Sequence, residues 1–162
     1  MAVDMFLKIG DVKGEAKDHA YKEWIDVLAW SWGMSQSGTA HLGPGAGAGK
    51  VNVQDISVTK FIDASSPWLM LACCNGKHYP EATLICRKAG EKPVNYLKVK
   101  MTDVMITAVS DGGSGGEDRF AQNVTINFAK VETTYVPQNA DGTPGTPVIM
   151  KWDIAQNTGG AG

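Results

Sequence analysis

Hydrophobic and polar residues alternate along most of the chain, which is the pattern of β-strands that bury one face. The first such stretch has an apolar face made by Val3, Met5, Leu7 and Ile9. The alternation continues in six further stretches, at 21–34, 51–63, 82–88, 94–109, 120–135 and 148–154. Seven strands with almost no helical periodicity predict an all-β protein, either a barrel or a sandwich.

The stretch 21–34 has one bulky face and one face that becomes small toward its end. Large apolar side chains gain most from burial, so we expect the core to take the bulky face, made by Trp24, Leu28, Trp30 and Trp32. Successive residues of a strand point to opposite faces. The other side of the sheet is therefore predicted to carry Ala29, Ser31 and Gly33.

Residues 65–76 are the one stretch that predicts a helix. A serine at the start offers an N-cap oxygen, Pro67 suits the first turn, and Gly76 suits the left-handed residue after the last turn. The residues between them are almost wholly apolar. A short apolar helix is not stable in water, so the sheet or another subunit is expected to cover it.

Residues 37–50 form a long glycine-rich segment without a strand or helix pattern, and such segments are usually functional or mobile. The run from Gly43 superficially resembles a phosphate-binding loop. Pro44 stands where that loop needs glycine, Val51 stands where it needs Ser or Thr, and a strand follows instead of a helix. We therefore interpret this segment as a loop that reaches a neighbouring molecule. The chain 1–162 is expected to be one domain with a frayed end over about 155–162.

The charge and cysteine content narrow the class of protein. There are 15 basic and 17 acidic residues, a net charge of −2, so a dominant basic face for nucleic acid is not expected. No stretch is apolar enough for membrane insertion, and the start does not have the pattern of a secretory signal. Three cysteines, two of them adjacent, predict reduced and buried thiols rather than a disulfide framework.

Residues that could carry catalysis are scattered. The three histidines have no metal-ligand spacing, and Cys73 and Cys74 lie on the apolar helix. Glu117 and Asp118 are adjacent and precede Arg119, which fits a salt-bridged turn or an interface contact better than a catalytic pair. No metal and no cofactor is expected. This profile favours a structural or assembly protein over an enzyme.

Six runs of residues, in order along the chain, carry a resemblance to a known family. They are MAVDMFLKIGDVKGE at 1–15, IDVLAWSWGMS at 25–35, GKVNVQD at 49–55, GKHYP at 76–80, GGSGGEDR at 112–119 and NVTINF at 123–128. Together they closely resemble the haemolysin-coregulated protein (Hcp) family of the bacterial type VI secretion system. The resemblance extends to about Tyr135.

The resemblance implies a compact β-barrel with one short flanking helix, similar to phage tail tube proteins. It also implies a homohexamer whose rings stack into a tube, with the contractile sheath, the spike protein and type VI effectors as partners. The protein would be made in the bacterial cytoplasm and secreted through the type VI apparatus.

Three groups of residues are expected to serve this assembly. Ala29, Ser31 and Gly33 are expected to face the pore and touch effectors. Contacts between stacked rings are expected from the glycine-rich loop, at Gly38, His41, Gly43, Gly45, Gly47, Gly49 and Lys50. Contacts between subunits are expected from Trp68, Leu69, Glu117, Asp118 and Arg119.

A different class of function is consistent with the same residues. A monomeric β-barrel could bind a peptide or small ligand at its mouth, with the 37–50 segment as a lid. The oligomeric state separates the two hypotheses, and an enzyme is a third and less favoured one.

Overall fold

The computed structural model of the chain describes residues 2–38 and 50–162. Within these residues it has one helix, α1 (Ser66–Asn75), and otherwise strands and connecting segments. The strands are β1 (Val3–Ile9), β2 (Ile25–Asp26), β3 (Ala29–Ser31), β4 (Met34–Ser35), β5 (Asn52–Val53), β6 (Ile56–Phe61), β7 (His78–Lys88), β8 (Val94–Gly112), β9 (Ala121–Tyr135), β10 (Val148–Asp153) and β11 (Thr158–Ala161). The mainly β class and the single helix are as predicted.

The main sheet is antiparallel and is built around the long strands β7, β8 and β9. Its order runs β11-β10-β9-β8-β7-β1-β2, and β6 and β3 continue from the free side of β9. Along that side, β6 pairs with the first half of β9 and β10 pairs with the second half. Strands β4 and β5 form a separate two-stranded sheet beside it.

One hydrophobic core lies on the inner side of the sheet and beneath α1. Leu7, Met101, Ile126 and Leu69 belong to it, and each is fully buried. The inward positions of β8 change phase between Met101 and Val104, where Asp103 has a left-handed backbone with φ of 56°. Asp tolerates this conformation better than most residues, so the strand can bend there without a glycine.

The single strand predicted over 21–34 is wrong, because the structure divides it into β2, β3 and β4. Its predicted faces are wrong in the first half: Ile25 and Val27 are buried, whereas Leu28 is 43% exposed. In the second half Trp30 and Trp32 pack partly against the core, as expected. The phase changes at Val27 and Leu28 because the segment leaves β1 and joins β6 at that point.

The sheet does not form an uninterrupted closed ladder, so the barrel is not present in that strict sense. β2 pairs only with β1, and β3 pairs only with β6. Between them, single backbone hydrogen bonds join Val27 N to Met5 O at 3.0 Å and Leu28 N to Thr59 O at 2.8 Å.

The frayed end predicted over 155–162 is also wrong, since β11 pairs with β10. A side chain at Gly159 would collide with the backbone carbonyl of Lys151, so this position needs a glycine for the close approach of the two strands. The run Gly159-Gly160 therefore permits an edge strand.

Candidate assembly surfaces

Helix α1 has two different faces. Leu69 and Ala72 are buried against the sheet, whereas Trp68 is 61% exposed and Leu71 is 52% exposed. The sheet therefore covers one face of the apolar helix and leaves the other in water. Leu69, which we expected at a subunit interface, lies in the core of its own chain, so Trp68 and Leu71 are the better candidates.

The ends of α1 are fixed in different ways. Gly76 has a left-handed backbone with φ of 70°, and its N–H donates to Ala72 O at 3.0 Å, as the sequence predicted. At the start, Ser65 makes no side-chain cap hydrogen bond, which corrects the predicted serine cap. Instead Asp63 Oδ1 accepts from Ser65 N at 2.9 Å, and Asp63 N donates to Ser66 Oγ at 3.0 Å.

A buried polar cluster underlies this start of the helix, and the sequence analysis missed it. Lys60 and Gln122 are both fully buried. The Lys60 ammonium donates to Gln122 Oε1 at 2.8 Å and Ser66 Oγ at 2.9 Å, and it pairs with Asp63 Oδ1 at 3.0 Å. Burial lowers the pKa of Lys60, while Asp63 opposes that change. The available signal was a lysine at an inward position of β6, in step with Ile56 and Val58.

Ala29 and Ser31 lie on an outward surface that several strands share, which we call the small-residue face. Directly paired residues of antiparallel strands have side chains on the same side. The first row of paired residues is Ala29, Thr59, Asn123 and Ser110, and the second row is Ser31, Ser57, Thr125 and Ala108. All eight side chains are small and uncharged. Gly33 is not among them, because it lies beyond β3, where its carbonyl accepts from Gln54 N at 3.0 Å.

The outward side of β7 to β10 has a different character, and we call it the charged face. It is made by Glu81, Lys100, Lys130, Glu132, Lys151 and Asp153, which alternate in sign across the strands. Lys100 lies 3.9 Å from Glu81, and Lys130 lies 3.7 Å from Asp153.

The outward side of β1 and the end of β7 is covered by the chain itself. Arg87 donates to Asp18 Oδ1 at 2.6 Å and to Asp4 Oδ2 at 3.1 Å. Its guanidinium also lies over the rings of Phe6 and Tyr21, at 5.2 and 5.6 Å from the ring centroids. The hydrogen bond from Arg87 lowers the pKa of Asp18 to about 2. This contact holds the segment before β2 against the sheet.

Glu117, Asp118 and Arg119 are exposed in the β8–β9 connection. The side chain of Glu117 accepts from Ser114 Oγ at 3.1 Å, and the Arg119 guanidinium lies 3.9 Å from the centroid of the Phe61 ring. Within the part of the chain that the structure describes, none of the ion pairs joins these three residues. The salt-bridged turn is therefore not seen, and the interface contact stays a prediction.

The two ends of the glycine-rich loop, Gly38 and Lys50, are exposed. The other residues predicted to contact a stacked ring lie outside the described residues: His41, Gly43, Gly45, Gly47 and Gly49.

The cysteines and acidic residues do not assemble a reactive centre in the described residues. Cys86 is buried, which raises the pKa of its thiol. Cys73 is only partly buried and Cys74 is exposed, so the prediction of buried thiols is confirmed for Cys86 alone. Among residues 2–38 and 50–162, no three His, Cys, Asp or Glu side chains are grouped to hold a metal ion. In the same ranges, no helix has the length and apolar character needed to cross a membrane.

Comparison with known proteins identifies the relatives of this fold. The family model described as "Type VI secretion system effector, Hcp" matches residues 6–135. Protein hcp1 of Pseudomonas aeruginosa is 63% identical over 159 residues, which is 97% of this chain and 98% of that protein.

Solved structures agree with these relatives. A type six secretion system protein superimposes with a TM-score of 0.92 at 27% identity, over 98% of this chain and 100% of the other. Hcp1 from Salmonella typhimurium has a TM-score of 0.80 at 32% identity, over 98% and 99% of the two chains. A type VI secretion system effector from Yersinia pestis has a TM-score of 0.76 at 34% identity, over 93% and 99%.

The fold and its relatives thus define a mainly β protein of the type VI secretion system. The chain belongs to the Hcp family, because the family model spans most of its length and the hcp1 relative aligns with nearly all of it.

Proposed function

We propose that this chain is the structural subunit of the type VI inner tube and has no catalytic role. Six copies form a ring, and rings stack into a tube that the contractile sheath expels together with the spike protein. Effectors bind inside the pore and leave the cytoplasm with the tube. Membership of the Hcp family supports the secretion role, and the surfaces of the single chain support the assembly.

The exposed apolar face of α1 is the main observation that supports a ring of subunits. Trp68 and Leu71 are 61% and 52% exposed, and Met70 beside them is 40% exposed. A monomer would leave this apolar surface in water, which is unfavourable. A repeated head-to-tail interface closed into a ring covers the same surface in every copy.

The small-residue face supports a pore lining. Its eight outward side chains carry no charge and little bulk, so a folded effector can approach the sheet closely. Ser31 lies at the end of its row, on β3, and is followed across the sheet by Ser57, Thr125 and Ala108. We therefore assign Ala29 and Ser31 to the lumen, with Gly33 at its margin.

The barrel is completed through the segment that joins β2 to β3. Its hydrogen bonds to Met5 O of β1 and Thr59 O of β6 attach one short segment to both of these strands. A barrel closed in this way has no free strand edge between β1 and β6.

The glycine-rich loop between Gly38 and Lys50 is assigned to contacts between stacked rings, and Glu117 to Arg119 to contacts within a ring. Deletion of residues 43–48 should leave rings intact and reduce tube formation and secretion. Normal secretion by this deletion variant would show that the loop is only a tolerated insertion.

The decisive experiment compares purified wild type with Trp68→Ser/Leu71→Ser, using sedimentation velocity and negative-stain images. Wild type should sediment as a hexamer and appear as rings with a hole. The double variant should remain folded by circular dichroism but sediment mainly as a 17.3 kDa monomer. Val148→Ser is the matched control, because Val148 is 63% exposed but lies on β10, away from α1.

The results distinguish the two hypotheses. A wild type that is only monomeric at micromolar concentration would overturn the ring and favour a monomeric binding module. Rings formed equally well by the double variant would remove α1 from the interface.

A further inference from the structure

The third inward position of β6 is occupied by a charged residue, Lys60. Ile56 and Val58 point into the core, and the next inward residue, Lys60, has no exposed surface. Its ammonium has three N–H donors, and three acceptors surround it: Gln122 Oε1, Ser66 Oγ and Asp63 Oδ1, at 2.8, 2.9 and 3.0 Å. The charge is therefore fully paired inside the protein.

The partners of Lys60 come from different elements of the fold. Ser66 is the first residue of α1, and Gln122 lies near the start of β9. Gln122 Nε2 in turn donates to Asp111 Oδ1 of β8 at 2.8 Å, and Ser66 Oγ donates to Gln122 Oε1 at 2.9 Å. One cluster thus joins β6, the start of α1 and the turn end of the β8–β9 hairpin.

The cluster replaces the usual devices that orient a helix start. Ser65 makes no side-chain cap, and the first turn of α1 has no acidic residue. Leu69 and Ala72 pack further along the helix, so the direction of its first turn depends on the hydrogen bonds that Ser65 and Ser66 make with this cluster. Trp68 follows two residues later.

Stability is a weak explanation for such a cluster. A buried ion pair loses hydration that its mutual attraction only roughly restores, and apolar residues of similar size are often as stable in its place. Directional bonding differs from apolar packing, because three acceptors fix the position of the ammonium and of the groups bonded to it.

We propose that Lys60 is a positioning residue that sets the start of α1 against the β8–β9 hairpin and thereby places Trp68 for contact with a second copy of this chain. This inference rests on the proposed ring. It assigns to the buried cluster a role in assembly that is separable from its role in folding.

The test uses two variants that disturb the cluster in different ways. Lys60→Met/Asp63→Asn removes both charges together, so that no carboxylate is left buried without its partner. Ser66→Ala keeps the ion pair and removes only the Ser66 hydroxyl, with its hydrogen bonds to Lys60 Nζ, Gln122 Oε1 and Asp63 N. The matched control is Lys130→Met, because the Lys130 side chain is 59% exposed and lies on the charged face.

Two quantities are measured for each protein. The first is the concentration at which rings dissociate, from a dilution series by sedimentation. The second is the urea midpoint of unfolding in dilute solution, below the concentration at which rings form. Both cluster variants should raise the dissociation concentration by about tenfold, which is the loss of affinity typical of an important interface residue. Lys130→Met should not change the dissociation concentration. The urea midpoints should stay near that of wild type.

Each outcome decides between assembly and folding. Rings of wild-type affinity in Ser66→Ala would overturn the inference, whether or not the double variant folds. A urea midpoint that falls in parallel with ring affinity would also overturn it, because the cluster would then be only structural. A wild type that forms no ring would instead overturn the proposed function on which the inference rests.

Discussion

The outward side of the β8–β9 hairpin changes character halfway along its length. Toward the hairpin turn it carries Ala108, Ser110, Asn123 and Thr125, which belong to the small-residue face. Toward the other end it carries Lys100, Lys130 and Glu132 of the charged face. The same two strands pack on the same core in both halves, so the inner side does not explain the difference.

The contrast indicates whether protein or water contacts each half of the hairpin's outward side. Outward positions are free of packing with the core, so their chemistry reflects their surroundings. Interface cores are depleted of charged side chains, and hydrated surfaces retain them. We therefore infer that the small-residue face is approached by another protein surface, while the charged face stays in contact with water.

The largest predicted effect tests whether the two halves share one core. Ile126 lies beneath the small-residue face and Met101 beneath the charged face, and both are fully buried. Ile126→Ala and Met101→Ala should each lower the free energy of unfolding by about 2–5 kcal/mol, because each leaves a cavity. Urea unfolding measures this, with Thr125→Ala as an outward control. A loss below about 1 kcal/mol for only one of them would mean that the halves are packed independently.

A smaller effect, on effector binding, is expected when a larger side chain is introduced on the small-residue face. Ser31→Gln should leave rings at normal yield, since outward substitutions usually change stability by less than about 0.5 kcal/mol. Its longer side chain should lower the amount of co-purified effector by about tenfold, as at an interface residue that matters.

The matched change on the charged face is Lys100→Gln, which should leave effector binding unchanged. Loss of the ring in Ser31→Gln, or unchanged effector binding, would contradict the lumen assignment.

The next prediction concerns the effect of pH on stability through the contact between Asp18 and Arg87. Asp18 has a pKa of about 2 in the folded protein, against an ordinary value of 3.8. The folded state therefore favours the carboxylate, and the resulting stability is complete above pH 3.8 and is lost as the pH falls toward 2. Wild type should have a higher urea midpoint than Asp18→Asn at pH 5, and the two midpoints should converge near pH 2. A constant difference across this range would show that Asp18 is not coupled to Arg87.

The sequence predicted regular elements better than it predicted their faces. Alternation located β1 and β7 to β10, although it did not show the change of phase in β8 between Met101 and Val104. Pro67 and Gly76 located the two ends of α1. The prediction for residues 21–34 failed because an alternating pattern does not show that the segment changes its partner strand at Val27 and Leu28. That exchange depends on the positions of β1 and β6, which are remote in sequence.

The candidate site shows the same limit. Ser31 could be assigned to an outward face from its own strand, but its neighbours Ser57 and Thr125 come from other strands and require the register. Leu69 was placed at the surface because a helix of nearly uniform apolarity does not show which side is covered. The inward Lys60 broke the apolar pattern of β6, and that break was the visible sign of the buried cluster.

The smallest predicted effect concerns the ion pairs of the charged face. Lys100 lies 3.9 Å from Glu81, and the two side chains are 41% and 52% exposed. Water screens an exposed pair, and ordering two side chains costs entropy, so such pairs contribute about 0.2–1 kcal/mol at most. A double-mutant cycle with Lys100→Ala and Glu81→Ala should give a coupling in the lower part of that range, and the coupling should weaken with added salt. A coupling well above about 1 kcal/mol that resists salt would mean that this face is shielded from water, and the contrast with the small-residue face would no longer hold.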